Sequence, residues 1–323
     1  MKGFALAAER LPEFAEIREK LARGEGPLLA TGLSQIHKVH AAWALADGPR
    51  LVITPDEPSA TRMAEDMNRF FGEERAVVFP AREFAFREVE GASREYEFAR
   101  LRVLESLAEG EPMVVVAGAE AALQRTLPPE AVRRHSLTLH TGEELPPETL
   151  VVRLLAAGYE RRDQVDGVCQ FSQRGGILDF FPPNAPDPYR VEFWGDEIDS
   201  ISLFKTDTQR RVDGVDRVLV TPAREVLTGD PEEFAGKLET IAGKLRGKAA
   251  APAKEHLLAD AAKLRDGLSL TAVDKYLPVL CPRGCTLLDY RPEDAPLFLC
   301  EPGTVREELR STVKLQTADM KDL

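Results

Sequence analysis

The chain has 323 residues, of which 43% are hydrophobic and 30% charged, and this globular composition excludes a disordered or fibrous protein. Its length suits roughly two or three domains. The formal net charge of −12 argues against a surface that coats nucleic acid non-specifically, although a local basic patch is compatible with it. No apolar run is long enough to span a bilayer, and the first residues do not form a secretion signal. We therefore expect a cytoplasmic protein without a membrane partner, whose four cysteines are free thiols.

The first segment, 1–125, alternates helical and strand patterns. Its short, wholly apolar strands between helices are typical of a parallel sheet covered on both faces. Ser59 or Thr61 is expected to cap the third helix. The predicted helices are 10–23, 34–46, 57–71 and 92–109, and the predicted strands are 27–32, 50–55, 76–80 and 112–118.

The second segment, 126–211, begins among proline pairs that break the helical pattern. A strand at 136–142 and a helix at 148–159 precede short alternating runs, and the pair Gly195 and Asp196 indicates a two-residue hairpin with glycine first. We predict a small antiparallel α+β domain inserted into the α/β domain. Its further predicted strands are 168–174, 177–182, 189–194 and 197–204.

The third segment, 212–323, returns to a mixed α/β pattern and is predicted to complete the first domain. Asp230 is expected to cap a helix over 230–247. The predicted strands are 215–222, 285–291 and 296–300. The charged tail has no element that closes the fold, as expected of a piece cut from a longer chain.

A degenerate phosphate-binding loop follows the first predicted strand. Against the template GxxxxGK(S/T), the chain has Gly32, His37, Lys38 and Val39. His37 replaces the glycine that lets backbone N–H groups turn around phosphate, and Val39 replaces the hydroxyl that binds Mg²⁺. The strand at 112–118 runs into Ala119 and Glu120 rather than an acidic pair. We expect no catalytic residues and no nucleotide cofactor here; a residual ATPase that uses Lys38 is the alternative.

Cysteine and histidine spacing does not predict a metal site. Cys281 and Cys285 have no second pair, so they are expected to fill the core, and His37 and His40 share one helix face without a third ligand.

The strand at 189–194 carries an informative alternation. Successive side chains of a strand point to opposite faces, so Arg190, Glu192 and Trp194 share the face away from the core. Arg174, just before the preceding strand, could join them. Tryptophan and arginine are enriched at binding hot spots. The alternative is that Trp194 packs under a loop while the arginines are solvated and paired with Glu192 or Asp196.

The stretch RGGILDFFPPNAPDPYRVEFWGDEIDSISLFKTDTQRR at 174–211 resembles domain 2 of the UvrB-like module shared by UvrB and the transcription-repair coupling factors (Mfd). AAGYERRDQVDG at 156–167, KYLPVL at 275–280 and TLLDYRPEDAPLFLCEP at 286–302 resemble the coupling factors rather than UvrB. The resemblance implies domain 1a (1–125), domain 2 (126–211) and domain 1b (212–323), with 1a and 1b forming a degenerate P-loop NTPase-like domain.

The resemblance also implies a function in transcription-coupled nucleotide excision repair. In this family, domain 2 binds UvrA through residues that match Arg174, Arg190 and Trp194, with tryptophan standing where phenylalanine is usual. The longer family proteins are ATP-dependent DNA translocases, and RNA polymerase and duplex DNA are expected partners of regions outside this chain.

One departure from UvrB concerns DNA. UvrB inserts a long aromatic hairpin into damaged DNA, whereas 80–91 is too short for such a hairpin. A UvrB-like damage-binding module is therefore an alternative that the acidic charge and the short segment both disfavour.

Overall fold

The computed structural model describes residues 10–45, 48–82, 94–247, 250–268, 270 and 273–319. They divide into two compact units. The first takes the described residues of Met1–Arg82, Val103–Gln124 and Thr286–Leu323, and the second takes those of Glu83–Arg102 and Arg125–Cys285. Residues 83–91, which belong to the segment 80–91 that is too short for a UvrB-like hairpin, lie outside the described residues.

The described elements, numbered in chain order, are mixed helices and strands, which confirms the α/β class. The α-helices are α1 Pro12–Ala22, α2 Gln35–Ala44, α3 Glu57–Phe71, α4 Glu95–Ala108, α5 Ala119–Leu123, α6 Pro129–His135, α7 Pro147–Ala156, α8 Pro231–Lys244, α9 Ala251–Arg265, α10 Leu277–Leu280 and α11 Pro302–Asp319. The strands are β1 Arg50–Thr54, β2 Ala76–Phe79, β3 Val114–Gly118, β4 Leu137–His140, β5 Glu160–Arg161, β6 Gln170–Arg174, β7 Ile177–Phe180, β8 Tyr189–Trp194, β9 Glu197–Phe204, β10 Arg211–Val215, β11 Arg217–Val220 and β12 Leu297–Leu299. Short 3₁₀ helices occur at Val273–Tyr276 and Leu287–Tyr290.

The first unit is built on a parallel sheet with strand order β12-β1-β3-β2. Every residue of β1 and β3 is buried, as the continuous apolar runs predicted. Helix α3 packs on this sheet through Ala60, Met63, Ala64 and Met67, whose spacing places them on one helical face.

Backbone contacts explain the start of α3 and the glycine at the end of β3. The Asp56 carboxylate accepts a hydrogen bond from the Ser59 amide at 2.7 Å, so Asp56 is the N-cap, and the predicted cap at Ser59 or Thr61 is wrong. A Cβ at Gly118 would lie 2.9 Å from the Glu57 nitrogen, so only glycine lets β3 end against α3.

Two predicted strands are wrong. Residues 27–32 form neither helix nor strand, and Leu29 is largely exposed. Leu287–Tyr290 is a 3₁₀ helix that begins with a capping box from Thr286 and Asp289. In both cases the apolar pattern was suited to a strand, but a strand also requires a neighbouring strand with which to pair. The edge of β1 is paired with β12 and not with either of these two segments.

The second unit contains a six-stranded sheet of order β10-β9-β8-β7-β6-β5, antiparallel except where β5 pairs with β6. The strands predicted at 168–204 are confirmed, as is the hairpin at Gly195, which has a φ of +62°. Helix α7 packs on one face of the sheet through Leu150, Val151 and Leu154. The β4–β11 pair belongs to the same core cluster.

A second core of this unit lies among α8, α9 and α10. Asp230 caps α8 by accepting a hydrogen bond from the Glu232 amide at 2.8 Å, which confirms that prediction. The Tyr276 hydroxyl donates to the Asp260 carboxylate at 2.6 Å within this core. The apolar members include Phe234, Leu238, Ala261, Leu264 and Leu277.

A buried ion pair ties α4 to the loop after β11 within the second unit. Arg100 donates to both carboxylate oxygens of Glu225 at 2.7 Å, and both side chains are completely buried. Glu97 accepts a hydrogen bond from the Glu225 amide at 2.8 Å, and Arg94 donates to the Ala223 carbonyl at 2.7 Å. The two parallel bonds from the Arg100 guanidinium group to the Glu225 carboxylate are charge-assisted, and they fix the loop after β11 to α4.

Replacing Arg100 with methionine should destabilise the second unit by about 3–5 kcal/mol, because it leaves the Glu225 carboxylate buried without its counter-ion. Urea unfolding followed by circular dichroism measures this loss. The matched control is Arg162→Met, which removes an exposed pair with Glu160 and should change the free energy of unfolding by less than about 0.5 kcal/mol. Equal unfolding midpoints for the two variants would contradict the structural importance of the pair.

Candidate partner-binding site

Strand β8 presents two chemically different faces. Val191 is completely buried, and Tyr189 and Phe193 pack against the core cluster that contains α7. Arg190, Glu192 and Trp194 alternate with them, so they lie on the other face of the sheet. The alternation that the sequence predicted for this strand is confirmed.

Trp194 is the most solvent-exposed large apolar side chain among the described residues, at 83% of its full accessibility. It ends β8 directly before the hairpin glycine and pairs with Glu197 at the start of β9. The alternative that Trp194 packs beneath a loop is therefore wrong. The exposed indole leaves a large apolar area in contact with water, and tryptophan is one of the residue types enriched at interface hot spots.

The two arginines converge on one buried carboxylate, that of Asp179 on β7. Arg190 donates from Nε to Oδ1 at 2.7 Å and from Nη2 to Oδ2 at 2.8 Å, which is a bidentate pair. Arg174 donates from Nη2 to Oδ2 at 3.3 Å. The side chain of Asp179 is 1% exposed, that of Arg190 is 16% exposed and that of Arg174 is 52% exposed.

Arg190 makes two further contacts, which also fix its guanidinium group. Its guanidinium lies over the ring of Phe204, with the carbon 4.8 Å from the ring centroid, and Nη1 donates to the Gln209 carbonyl at 3.3 Å. The hydrogen bond to Asp179 raises the pKa of Arg190 above its usual value. Arg190 is thus a fixed, half-buried charge, whereas Arg174 extends into solvent.

The sequence interpretation missed Asp179 as the partner of both arginines and named Glu192 or Asp196 instead. Glu192 accepts a hydrogen bond from the Ser200 hydroxyl at 3.3 Å. A signal for Asp179 was present, because it lies between the inward-facing Leu178 and Phe180 and therefore shares the outer face with Arg190, which is directly opposite in register.

The exposed end of this outer face combines charged side chains with apolar area. Ile177 is partly exposed and lies in register between Arg174 on β6 and Glu192 on β8. Trp194 and Ile177 offer apolar area that a partner can cover, and Arg174 can bind a carboxylate of that partner. We call Arg174, Ile177, Arg190 and Trp194 the outer-face patch.

The loop with the degenerate phosphate motif is in the first unit. Gly32 has a φ of +77°, and the Ser34 hydroxyl lies 3.0 Å from Nδ1 of His37. Lys38 is bonded to the carboxylate of Glu301, which follows β12. Val39 is completely buried in the core beneath α3. Val39 thus packs as an apolar side chain. The ammonium group of Lys38, which a bound phosphate would require, is already paired with the Glu301 carboxylate.

His40, Cys281 and Cys300 pack against apolar neighbours. His40 stacks with Trp43 and Phe70 at centroid distances of 5.8 and 5.7 Å. Burial raises the pKa of the thiols of Cys281 and Cys300. In the described part of the chain, no three His, Cys, Asp or Glu side chains are grouped as metal ligands would be. None of the described helices is both long and apolar enough to cross a membrane.

Comparisons with known proteins place the outer-face patch in a recognised domain. Residues 137–226 match the UvrB interaction domain family, a range that contains the whole six-stranded sheet. The chain is 33% identical over 307 residues to the transcription-repair-coupling factor of Bacillus subtilis, covering 91% of this chain and 26% of that protein. The corresponding protein of Mycobacterium tuberculosis is 28% identical over 331 residues, covering 97% of this chain and 26% of the relative. The chain thus spans about a quarter of the length of the curated relatives it matches.

Proposed function

We propose that this chain, a homologue of the UvrB-like module of the transcription-repair-coupling factors, recruits UvrA to nucleotide excision repair through the outer-face patch of its UvrB interaction domain. The observation that carries the proposal is the exposure of both Trp194 and Arg174 on the same face of the six-stranded sheet, where β8 and β6 end. Both residues, with Arg190, lie within the matched domain.

The chemistry of the patch supports a protein partner. A tryptophan that becomes buried when a partner binds supplies a large contact area at small conformational cost. An arginine forms charge-assisted bonds with a carboxylate. Such anchors account for most of the binding energy of a protein interface. UvrA is therefore expected to cover Trp194 and to present an acidic side chain to Arg174.

Trp194→Ala should weaken UvrA binding by about 2 kcal/mol or more, roughly 30-fold in Kd, because it removes the apolar anchor. Arg174→Ala should also weaken binding by removing the exposed charge. Isothermal titration calorimetry with purified UvrA measures both effects, and circular dichroism verifies that each variant is folded.

Two matched controls separate the patch from surface exposure in general. Leu155→Ala removes a half-exposed apolar side chain on α7, which packs on the opposite face of the sheet. Arg161→Ala removes an exposed arginine on β5. Both should bind UvrA like the wild type. Wild-type affinity for Trp194→Ala and Arg174→Ala would rule out the patch as the UvrA site.

The first unit is proposed to be a non-catalytic scaffold derived from a nucleotide-binding fold. Lys38 is paired with Glu301, and Val39 offers no oxygen for Mg²⁺. Nucleotide binding would have to displace the carboxylate from Lys38 and would then lack the metal-binding hydroxyl. Translocation on duplex DNA and contact with RNA polymerase are proposed for other regions of the longer family proteins.

The chain should show no saturable binding of Mg²⁺–ATP at millimolar concentration. Equilibrium dialysis with labelled ATP measures this directly. The variant Glu301→Gln frees Lys38 from its counter-ion and should still fail to bind, because Val39 remains. Saturable binding to the wild type that Lys38→Ala abolishes would instead support a residual ATPase site.

A further inference from the structure

We propose that the partner meets Trp194 with a cationic side chain, which stacks on the indole and pairs with the carboxylate of Glu197. This inference rests on the docking function proposed above and deepens it, because it states the chemistry of the group that covers the indole. It assigns Glu197 a contact role. UvrA would then match this face with an acid at Arg174 and a base at Trp194.

Trp194 and Glu197 flank the two-residue hairpin between β8 and β9 and are directly opposite each other in register. Side chains opposite each other in an antiparallel pair share one face of the sheet, with Cβ atoms about 5 Å apart. Trp194 is 83% exposed, and Glu197 is exposed as well. A planar cation laid on the indole is therefore within reach of the Glu197 carboxylate.

The carboxylates near the indole are not neutralised by ion pairs within the protein. Glu197 forms neither an ion pair nor a side-chain hydrogen bond with any residue that the structure describes. Glu192, on the same face, accepts a hydrogen bond from the Ser200 hydroxyl at 3.3 Å. Arg190 interacts electrostatically with Glu192 but directs its two short bonds to Asp179. The surface around the indole thus carries negative charge.

A partner cannot cover the indole without also removing water from Glu197, because the two side chains are opposite each other at the same hairpin. A carboxylate that loses water without gaining a counter-ion opposes binding. A cation on the partner offsets that cost, and tryptophan is the aromatic ring that attracts a cation most strongly. Arginine suits both neighbours at once, since its guanidinium group stacks on aromatic faces and pairs with carboxylates.

Calorimetry with UvrA and the whole chain tests the proposal. Glu197→Gln should weaken binding about fivefold or more, because a neutral amide no longer pairs with the cation. Trp194→Leu should bind within about threefold of Trp194→Ala, since leucine keeps apolar area but has no aromatic face. The matched control is Glu148→Gln, which removes an exposed carboxylate on α7 and should bind like the wild type.

A double-mutant cycle shows whether one group of the partner contacts both side chains. If a single cation bridges them, Glu197→Gln should lose most of its effect when residue 194 is already alanine. Equal effects of Glu197→Gln in the wild-type and Trp194→Ala backgrounds would mean that the two side chains make independent contacts, and the proposal would be wrong.

Wild-type affinity of either Glu197→Gln or Trp194→Leu, with the variant folded by circular dichroism, would show that an apolar group covers the indole and would overturn the proposal. If Trp194→Leu fails to fold, Trp194→Met provides the same comparison. Trp194→Ala distinguishes the two levels of inference. If it binds UvrA normally, the docking function itself fails; if it loses binding while Glu197→Gln binds normally, only the cationic group of the partner is ruled out.

Discussion

The Asp179 carboxylate sets the geometry of the outer face of the second unit. It is almost completely buried, it lies on the central strand of three, and guanidinium groups from both neighbouring strands bind it. A buried charge requires such partners, since its desolvation is otherwise too costly. The requirement draws Arg190 into a half-buried position and leaves Arg174 at the surface. The exposed chemistry of the patch is therefore a consequence of how one internal charge is satisfied.

The two units differ in how their sheets are covered. The strands β1 and β3 are buried on both faces, as a parallel sheet with helical crossovers requires. The six-stranded sheet is largely antiparallel, and α7 packs on only one of its faces. On the other face the side chains of Asp179, Ser202 and Phe204 are buried as well, whereas Arg174 and Trp194, where β6 and β8 end, are exposed.

In the first unit, two residues of the stretch compared with the phosphate-loop template are held by contacts within the protein. Val39 packs in the core beneath α3, and Lys38 pairs with Glu301. These contacts stabilise the loop without a ligand.

The sequence alone determined the properties that depend on near neighbours. The alternation along β8, the hairpin at Gly195, the cap at Asp230 and the missing hydroxyl at Val39 follow from strand periodicity, turn chemistry and side-chain type. It failed at 27–32 and Leu287–Tyr290, where an apolar pattern does not reveal whether a neighbouring strand is present. Only the tertiary structure decided which charges meet. Arg190 and Asp179 are 11 residues apart on different strands, and Lys38 and Glu301 are 263 residues apart, because ion pairing depends on distance in space rather than along the chain.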